Sequence, residues 1–169
     1  MILCPEQDWN AVVAQLTAAK HIMLTTHRNP DADGIGSQIA LYHVLRNMGK
    51  TVIMHNRDVV PRICRYLPQS DAIQVGDTPN MTGVDTVVAL DAGAFSRLGF
   101  PETLFEHCCL MNIDHHASNP SYADINVVNA DYCATGAMMF DLIQHLGKPF
   151  SKPSAVAMYA AILTDTASF

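Results

Sequence analysis

The chain has 169 residues, 49% of them hydrophobic and 15% charged, which predicts one folded globular domain rather than a disordered chain. Its formal net charge of −6 leaves no basic surface field for a long nucleic-acid duplex. The apolar stretches are too short to span a bilayer, and no secretory signal pattern opens the sequence. These features predict a cytoplasmic protein with no membrane segment.

Short apolar runs alternate with segments of helical spacing along the chain. Strands are predicted at residues 22–26, 51–54, 86–90, 109–113 and 125–128. Helices are predicted at residues 8–19, 35–48, 59–66, 101–107, 135–146 and 153–163. Near-continuous apolar strands separated by helices are typical of parallel strands buried on both faces. The sequence therefore predicts an α/β fold: a doubly wound, mainly parallel sheet with helices on both faces.

Aspartate and histidine residues gather where predicted strands end. The first strand is followed by HRNPDADGIGS, the third by Asp91 and the fourth by the triplet DHH at residues 114–116. Asp165 follows the last helical segment. Because ligands of doubly wound sheets lie outside the carboxyl ends of the strands, these side chains are expected to meet at one edge. A single aspartate more often caps a helix, and Asp33 is the best candidate for such a cap.

This gathering of charge predicts a metal centre. Five carboxylates and three imidazoles at one edge would repel each other and resist burial unless cations compensated them. Carboxylate oxygens mixed with imidazole nitrogens, without thiolate, favour Mn²⁺ or Mg²⁺. Two such ions would neutralise four ionised aspartates, namely Asp31, Asp33, Asp91 and Asp165. An ion pair of this kind activates a water and clamps phosphoryl oxygens, so the residues predict metal-dependent hydrolysis of a phosphate ester.

The chain resembles the DHH phosphoesterase family, which includes RecJ-like exonucleases, in four motifs that follow the family's order. These motifs are HRNPDADGIGS, the aspartate Asp91, IDHHASN and LTDTASF. The segments SNPSYADINVVN and CATGAMMFDLI are most similar to the bifunctional oligoribonuclease and pAp phosphatase (nanoRNase) members. The fourth motif usually continues with glycine where this chain has Ala167, a small change that the site is expected to tolerate.

The resemblance implies a pair of Mn²⁺ ions, with Mg²⁺ as the alternative, and a ligand set for each ion. One ion would be held by His27, Asp31 and Asp91. The other would be held by four residues: Asp33, Asp91, His115 and Asp165. Asp91 would then bridge the two ions.

The resemblance also implies how the remaining motif residues act. Asp91, His115 and His116 would be the catalytic residues, and His116 would face the substrate phosphate. Asp114 would orient a neighbouring imidazole rather than bind metal. Ser37 would support the site through its hydroxyl or through the start of its helix.

Two arginines lie near the motifs and are candidate substrate contacts. Arg28 is inside the first motif, and Arg97 follows Asp91 by six residues. Either guanidinium could reach a substrate phosphate, and a solvated surface position is the alternative for each.

The predicted function is Mn²⁺-dependent hydrolysis of phosphate esters in small nucleotides or very short oligonucleotides, as in pAp phosphatases and oligoribonucleases. An inorganic pyrophosphatase or exopolyphosphatase with the same metal site is the alternative within the family. A metal- or nucleotide-binding regulatory module without turnover is the alternative from another class. The complete set of motif residues favours an enzyme.

The resemblance further implies a second domain. Residues 1–169 cover the DHH catalytic domain, whereas family members continue into a C-terminal DHH-associated domain that recognises the substrate and is absent from this chain. The isolated domain is therefore expected to be weakly active on nucleotides. The expected partners are the substrate and this second domain, and the oligomeric state, monomer or homodimer, is left open.

Overall fold

A computed structural model describes residues 8 to 169 and shows a parallel sheet of six strands. The strands are β1 (His21–Thr26), β2 (Thr51–Asn56), β3 (Gln74–Val75), β4 (Thr86–Leu90), β5 (Cys109–Asp114) and β6 (Ile125–Val128). Their order is β3-β2-β1-β4-β5-β6, and every neighbouring pair is parallel. This topology confirms the predicted doubly wound α/β class.

The α-helices of the described residues are α1 (Asn10–Ala18), α2 (Ala32–Asn47), α3 (Thr135–His145) and α4 (Lys152–Asp165). The Asp31 side chain caps α2, and the Ser151 side chain caps α4. In the part of the chain that the structure describes, no helix is both long enough and apolar enough to cross a membrane.

Alternate residues of the central strands enter two hydrophobic clusters on opposite faces of the sheet. Val88 and Leu90 of β4 belong to the larger cluster, which also contains apolar residues of the α-helices. Val87 and Ala89 belong to the smaller cluster with Phe100. On the face of the smaller cluster, the helical segments are the 3₁₀ turns Phe95–Leu98 and Glu102–Leu104. The helical layer is therefore thick on one face and thin on the other.

The helices of the thick layer approach closely through small residues. The Ala161 methyl group of α4 lies between Gly36 of α2 and Gly136 of α3. A Cβ atom added at Gly136 would lie 2.4 Å from the Cβ atom of Ala161, and one added at Gly36 would lie 2.5 Å from the carbonyl oxygen of Ala157. Both glycines are therefore required for the observed packing of α4, the helix that carries Asp165.

Two predicted helices are wrong. Residues 59–66 form only the 3₁₀ turn Arg62–Cys64, and residues 101–107 form only the turn Glu102–Leu104. Proline precedes each turn, and Ile63 and Tyr66 remain exposed, so the first segment buries no continuous apolar stripe that could extend a helix. The two-residue strand β3 was not predicted because it is too short to leave an apolar pattern.

The helix predicted at residues 35–48 begins earlier than its apolar spacing indicates. Asp31 accepts hydrogen bonds from the backbone N–H groups of Asp33 and Gly34, so α2 starts at Ala32. This places Asp33 within the first turn of the helix. The prediction that Asp33 is the cap is wrong for its own helix, and Asp31 is the cap instead.

Candidate metal centre

The predicted metal ligands lie where the strand order of the sheet reverses. They form the acidic cluster of the site: His27, Asp31, Asp33, Asp91, His115 and Asp165. β1 and β4 are neighbours at the middle of the sheet, although they are separated by two strands in sequence. His27 directly follows β1, and Asp91 directly follows β4. In open α/β sheets this reversal opens a crevice at the carboxyl ends of the strands, where ligands bind.

The first group of ligand-type atoms comes from His27, Asp31 and Asp91, whose atoms lie within 4.8 Å of one another. The Nε2 atom of His27 is 3.5 Å from a carboxylate oxygen of Asp31 and 3.5 Å from Oδ2 of Asp91. The Nδ1 atom of His27 is 2.8 Å from the carbonyl oxygen of Arg28, which accepts an N–H bond. This bond places a proton on Nδ1, so Nε2 is the nitrogen that faces the carboxylates.

The second group consists of Asp33, His115 and Asp165, again within 4.8 Å. The Nε2 atom of His115 lies 3.7 Å from Oδ2 of Asp33 and 3.4 Å from Oδ2 of Asp165. It also lies 3.8 Å from Oδ1 of Asp91. Nδ1 of His115 lies 3.3 Å from the carbonyl oxygen of Tyr132, so Nε2 is again the nitrogen that faces the acids.

Asp91 belongs to both halves of the site. Its Oδ2 atom faces His27, while its Oδ1 atom faces His115. The residue has a backbone φ of 55°, in the left-handed region that aspartate adopts at a cost, and it is 2% exposed. A strained, buried aspartate between two histidines is the geometry expected of a shared metal ligand.

His116 lies beside this pair and is partly exposed to solvent. Its Nδ1–H donates to Oδ1 of the fully buried Asp114 at 2.7 Å. The other oxygen of Asp114 accepts from the Asn119 amide at 2.6 Å. Asp114 therefore orients His116, and the Nε2 atom of His116 is left for a ligand.

Asp33 is 1% exposed and accepts hydrogen bonds from α3. The backbone N–H groups of Thr135 and Gly136 donate to its two oxygens, each at 2.7 Å. The Ser37 hydroxyl donates to Oδ1 of Asp33 at 3.4 Å, so Ser37 contacts one of the residues that the resemblance implies as ligands. Asp33 thus accepts hydrogen bonds from the first turn of α3 and also faces His115.

The electrostatics of the site show an excess of negative charge. Burial raises the pKa of Asp33 well above its ordinary value, and the charge of Asp91 adds to this. Burial also raises the pKa of Asp91, although its hydrogen bond with His27 acts in the opposite direction. Both shifts mean that the buried carboxylates resist ionisation unless a positive charge is supplied.

His27 and Asp31 behave as an ion pair. Burial alone would lower the pKa of His27, but hydrogen bonds with Asp31 and Asp91 outweigh burial and raise it to about 10. Burial would raise the pKa of Asp31, yet the bond from His27 and the N–H of Gly34 lower it to about 2. The proton on His27 therefore occupies the position that a cation would take.

The residues fit a pair of divalent cations. A cation with ligands at about 2.1 Å separates neighbouring ligand atoms by about 3 to 4 Å, and the distances from His27 and His115 to the acids are 3.4 to 3.8 Å. The donor atoms are carboxylate oxygens and imidazole nitrogens, the set that suits Mn²⁺ and Mg²⁺. Electrostatics also favour a cation here, because His27 holds a proton among the carboxylates and the pKa of the buried Asp33 is raised.

The two predicted arginines lie at the His27 side of the site. The Nη2 atom of Arg97 is 3.3 Å from Nδ1 of His27, and the backbone N–H of Arg28 donates to the Arg97 carbonyl oxygen at 2.7 Å. Arg28 is exposed and lies 4.0 Å from a carboxylate oxygen of Asp58. Both side chains are exposed, and the Arg97 guanidinium is the one that contacts a residue of the cluster.

Sequence reasoning missed three residues that contact the site: Thr135, Tyr132 and Asn119. The signal for Thr135 was its position at the start of a predicted helix in CATG, where a hydroxyl can reach a neighbouring carboxylate. Asn119 lies in the motif IDHHASN, but its amide could not be assigned to Asp114 before the turn after β5 was known.

The fold and this cluster define a class, a parallel α/β domain with a metal-ligand group at the reversal of its strand order. Residues 21–162 match the DHH family, N-terminal domain, and the chain belongs to this family. The family assignment supports a metal-dependent hydrolase.

Two similar curated relatives are named NrnA, one a bifunctional oligoribonuclease and PAP phosphatase and the other a probable one. The protein from Thermus thermophilus is 36% identical over 149 residues, which are 88% of this chain and 44% of the relative. The probable NrnA from Streptococcus mutans is 24% identical over 162 residues, which are 95% of this chain and 50% of the relative. The chain thus spans about half the length of the curated relatives it matches.

Solved structures show the same fold. An exopolyphosphatase-related protein from Bacteroides fragilis has a TM-score of 0.85 and 26% identity, covering 95% of this chain and 50% of that protein. Exonuclease RecJ bound to manganese has a TM-score of 0.56 and 19% identity, covering 96% of this chain and 46% of RecJ. At that identity RecJ supports the fold alone.

Proposed function

We propose that the chain is the catalytic domain of a Mn²⁺-dependent phosphoesterase that hydrolyses phosphate esters of small nucleotides or very short oligonucleotides. The observation that carries the proposal is the position of Asp91 between two ligand groups, one on His27 and one on His115. A carboxylate that faces both groups can hold two cations close together, as two-metal hydrolysis requires.

The proposed ligands are His27, Asp31 and Asp91 for one ion. The other ion takes four residues: Asp33, Asp91, His115 and Asp165. When bound, the two cations supply a hydroxide nucleophile at neutral pH and positive charge against the phosphoryl oxygens. The acidic chain itself offers these ligands, so an anionic substrate would be attracted by the cations rather than by the protein surface.

The residues outside the ligand set hold the phosphate and its protons. Asp114 keeps the His116 ring in one orientation by accepting its Nδ1–H bond, so the imidazolium form of the ring would donate its Nε2 proton toward a phosphoryl or leaving-group oxygen. Arg97 extends beside His27 and is placed to bind a phosphate oxygen. Arg28 is held to Arg97 through a backbone bond and is the weaker candidate because it faces Asp58.

The preference for nucleotides rests on the NrnA relatives, of which the Thermus thermophilus protein is 36% identical. The alternative is hydrolysis of pyrophosphate or polyphosphate, and the exopolyphosphatase-related protein from Bacteroides fragilis favours it. A regulatory module that binds metal or nucleotide without turnover is the alternative from another class.

Four substrates test the proposal: inorganic phosphate is measured as the product of pAp, pyrophosphate and short-chain polyphosphate, and mononucleotide as the product of a 5′-phosphorylated dinucleotide. Each substrate is incubated with the purified chain at saturating Mn²⁺ or with EDTA, and Asp91→Asn is the matched inactive control. We expect Mn²⁺-dependent phosphate release from pAp or mononucleotide formation from the dinucleotide, and neither product in EDTA or with the variant.

Release from pyrophosphate or polyphosphate alone would overturn the nucleotide assignment and support the alternative. Mn²⁺ binding without turnover of any of the four substrates, both by this chain and by a longer polypeptide that carries a C-terminal domain, would support the regulatory module. The same assay on a longer polypeptide that carries a C-terminal domain would show whether that domain raises the efficiency, as the family resemblance implies.

A further inference from the structure

Thr135, the first residue of α3, contacts two of the proposed metal ligands at once. Its hydroxyl donates to Oδ1 of Asp91 at 3.2 Å, and its backbone N–H donates to Oδ2 of Asp33 at 2.7 Å. Thr135 is fully buried, so water does not compete for either bond. It lies outside all four motifs that identify the site.

The hydroxyl bond contacts one of the two oxygens of the Asp91 carboxylate. Oδ2 of Asp91 is directed to His27, whereas Oδ1 must be directed to His115 if the carboxylate is to serve both groups. His115 and His116 approach Oδ1 only to 3.8 and 3.7 Å. Nδ1 of His116 is already bonded to Asp114. Among the described residues, the Thr135 hydroxyl makes the shorter contact and is the donor with hydrogen-bond geometry on this oxygen.

The position of Thr135 is itself fixed by packing. The next residue, Gly136, lies so close to Ala161 that an added Cβ atom would be 2.4 Å from the alanine methyl group. The N–H of Gly136 donates to the second oxygen of Asp33 at 2.7 Å. The start of α3 is therefore held both by its bonds to Asp33 and by its close contact with α4.

We propose that Thr135 is a positioning residue for the metal centre, which holds Asp91 in the orientation that lets one carboxylate serve both cations. This inference rests on the metal site of the proposed function, but not on its substrate. Loss of the hydroxyl leaves the carboxylate free to rotate, and both cations then bind more weakly. Residues that hold metal ligands in this way typically contribute roughly 10- to 100-fold to metal affinity, and a loss of this order of magnitude is expected here.

Isothermal titration with Mn²⁺, in the absence of substrate, tests the inference on the wild-type chain and three variants. Thr135→Val removes the hydroxyl and keeps the shape, whereas Thr135→Ser keeps the hydroxyl. Thr86→Val is the matched control, because the buried hydroxyl of Thr86 also donates to an aspartate, Asp85, but at the amino end of β4. Circular dichroism establishes that each variant is folded.

We expect Thr135→Val to weaken Mn²⁺ binding by roughly 10- to 100-fold, with Thr135→Ser and Thr86→Val within about threefold of wild type. If Thr135→Val does not fold, Thr135→Ala, which also lacks the hydroxyl and adds no atom, takes its place. Wild-type affinity in the folded hydroxyl-free variant would overturn the inference, as would an equal loss in Thr86→Val.

The titration also separates this inference from the proposed function. If the wild-type chain binds Mn²⁺ but neither it nor the longer polypeptide hydrolyses a phosphate ester, the function is overturned and the role of Thr135 stays intact. A wild-type chain that binds no Mn²⁺ would overturn both.

Discussion

Replacing Gly136 with alanine would insert a methyl group into the contact between α3 and α4. The new Cβ atom would lie 2.4 Å from the Cβ atom of Ala161 and 3.3 Å from Oδ1 of Asp33. Nonbonded carbon atoms prefer a separation of about 3.5 to 4.0 Å, so the two helices must separate by about 1 Å. The variant therefore tests the packing that holds Asp33 against the start of α3.

The expected loss of stability follows from two opposing effects. Overpacking of this kind costs about 1 to 3 kcal/mol. Alanine gains at most about 1 kcal/mol over glycine from helix propensity, and less in the first turn. Gly136→Ala should therefore lower the free energy of unfolding by about 1 to 2 kcal/mol. For a chain of this length, that loss lowers the melting temperature by about 2 to 8 °C.

A double-mutant cycle identifies the clash as the cause. Ala161→Gly alone should cost about 1 to 2 kcal/mol through lost helix propensity and a lost buried methyl group. In Gly136→Ala/Ala161→Gly the closest contact is gone, so the double variant should be no less stable than Ala161→Gly. The expected coupling energy is about 1 to 2 kcal/mol in favour of the double variant.

Urea unfolding of all four proteins in EDTA measures this coupling without a contribution from bound metal. The m values should agree, so that differences in midpoint report stability. Additivity of the two single changes within about 0.5 kcal/mol would refute the packing argument. A Gly136→Ala variant more stable than wild type would refute it as well.

Three further predictions concern the site. Asp91→Ala should weaken both Mn²⁺ sites, whereas Asp31→Ala should weaken one, and a titration that finds two unaffected ions in Asp91→Ala would contradict the bridge. Mn²⁺ affinity should rise as the pH is raised from 6 to 9, because His27 has a pKa of about 10 without metal and must lose its proton to bind the ion. For each proton released on binding, the affinity should rise by up to about tenfold per pH unit. Calorimetry in buffers of different ionisation enthalpy measures this release, and pH-independent affinity would contradict it. Asp114→Asn should lower kcat by roughly 10²-fold with little change in KM, because His116 loses the carboxylate that orients it; a wild-type kcat would exclude this role.

The sheet could be predicted from the sequence because five of its strands are apolar runs, and each run is long enough to be recognised as a buried strand. The 3₁₀ turns at residues 62–64 and 102–104 could not, since short turns carry no periodic pattern. Placement of the site followed from the strand ends, because parallel strands bring their carboxyl ends to one edge. His27 and Asp91, distant in sequence, are neighbours for this reason.

The roles of individual residues depended on contacts that a sequence does not contain. Asp33 was interpreted as a cap of its own helix, yet it receives the N–H of Thr135, a residue 102 positions later. Helix-capping preferences correctly predict that an aspartate caps α2. The choice between Asp31 and Asp33 depends on the backbone conformation at the start of the helix. Long-range hydrogen bonds of this kind are determined by helix packing, not by spacing.

Anomalous diffraction from crystals grown with saturating Mn²⁺ tests the central claim most directly, because it counts the cations and locates them. We predict two anomalous peaks about 3.5 to 4 Å apart, with Asp91 between them, one beside His27 and the other beside His115. A single peak, or two peaks of which neither contacts Asp91, would contradict the shared carboxylate and with it the two-metal account of this site.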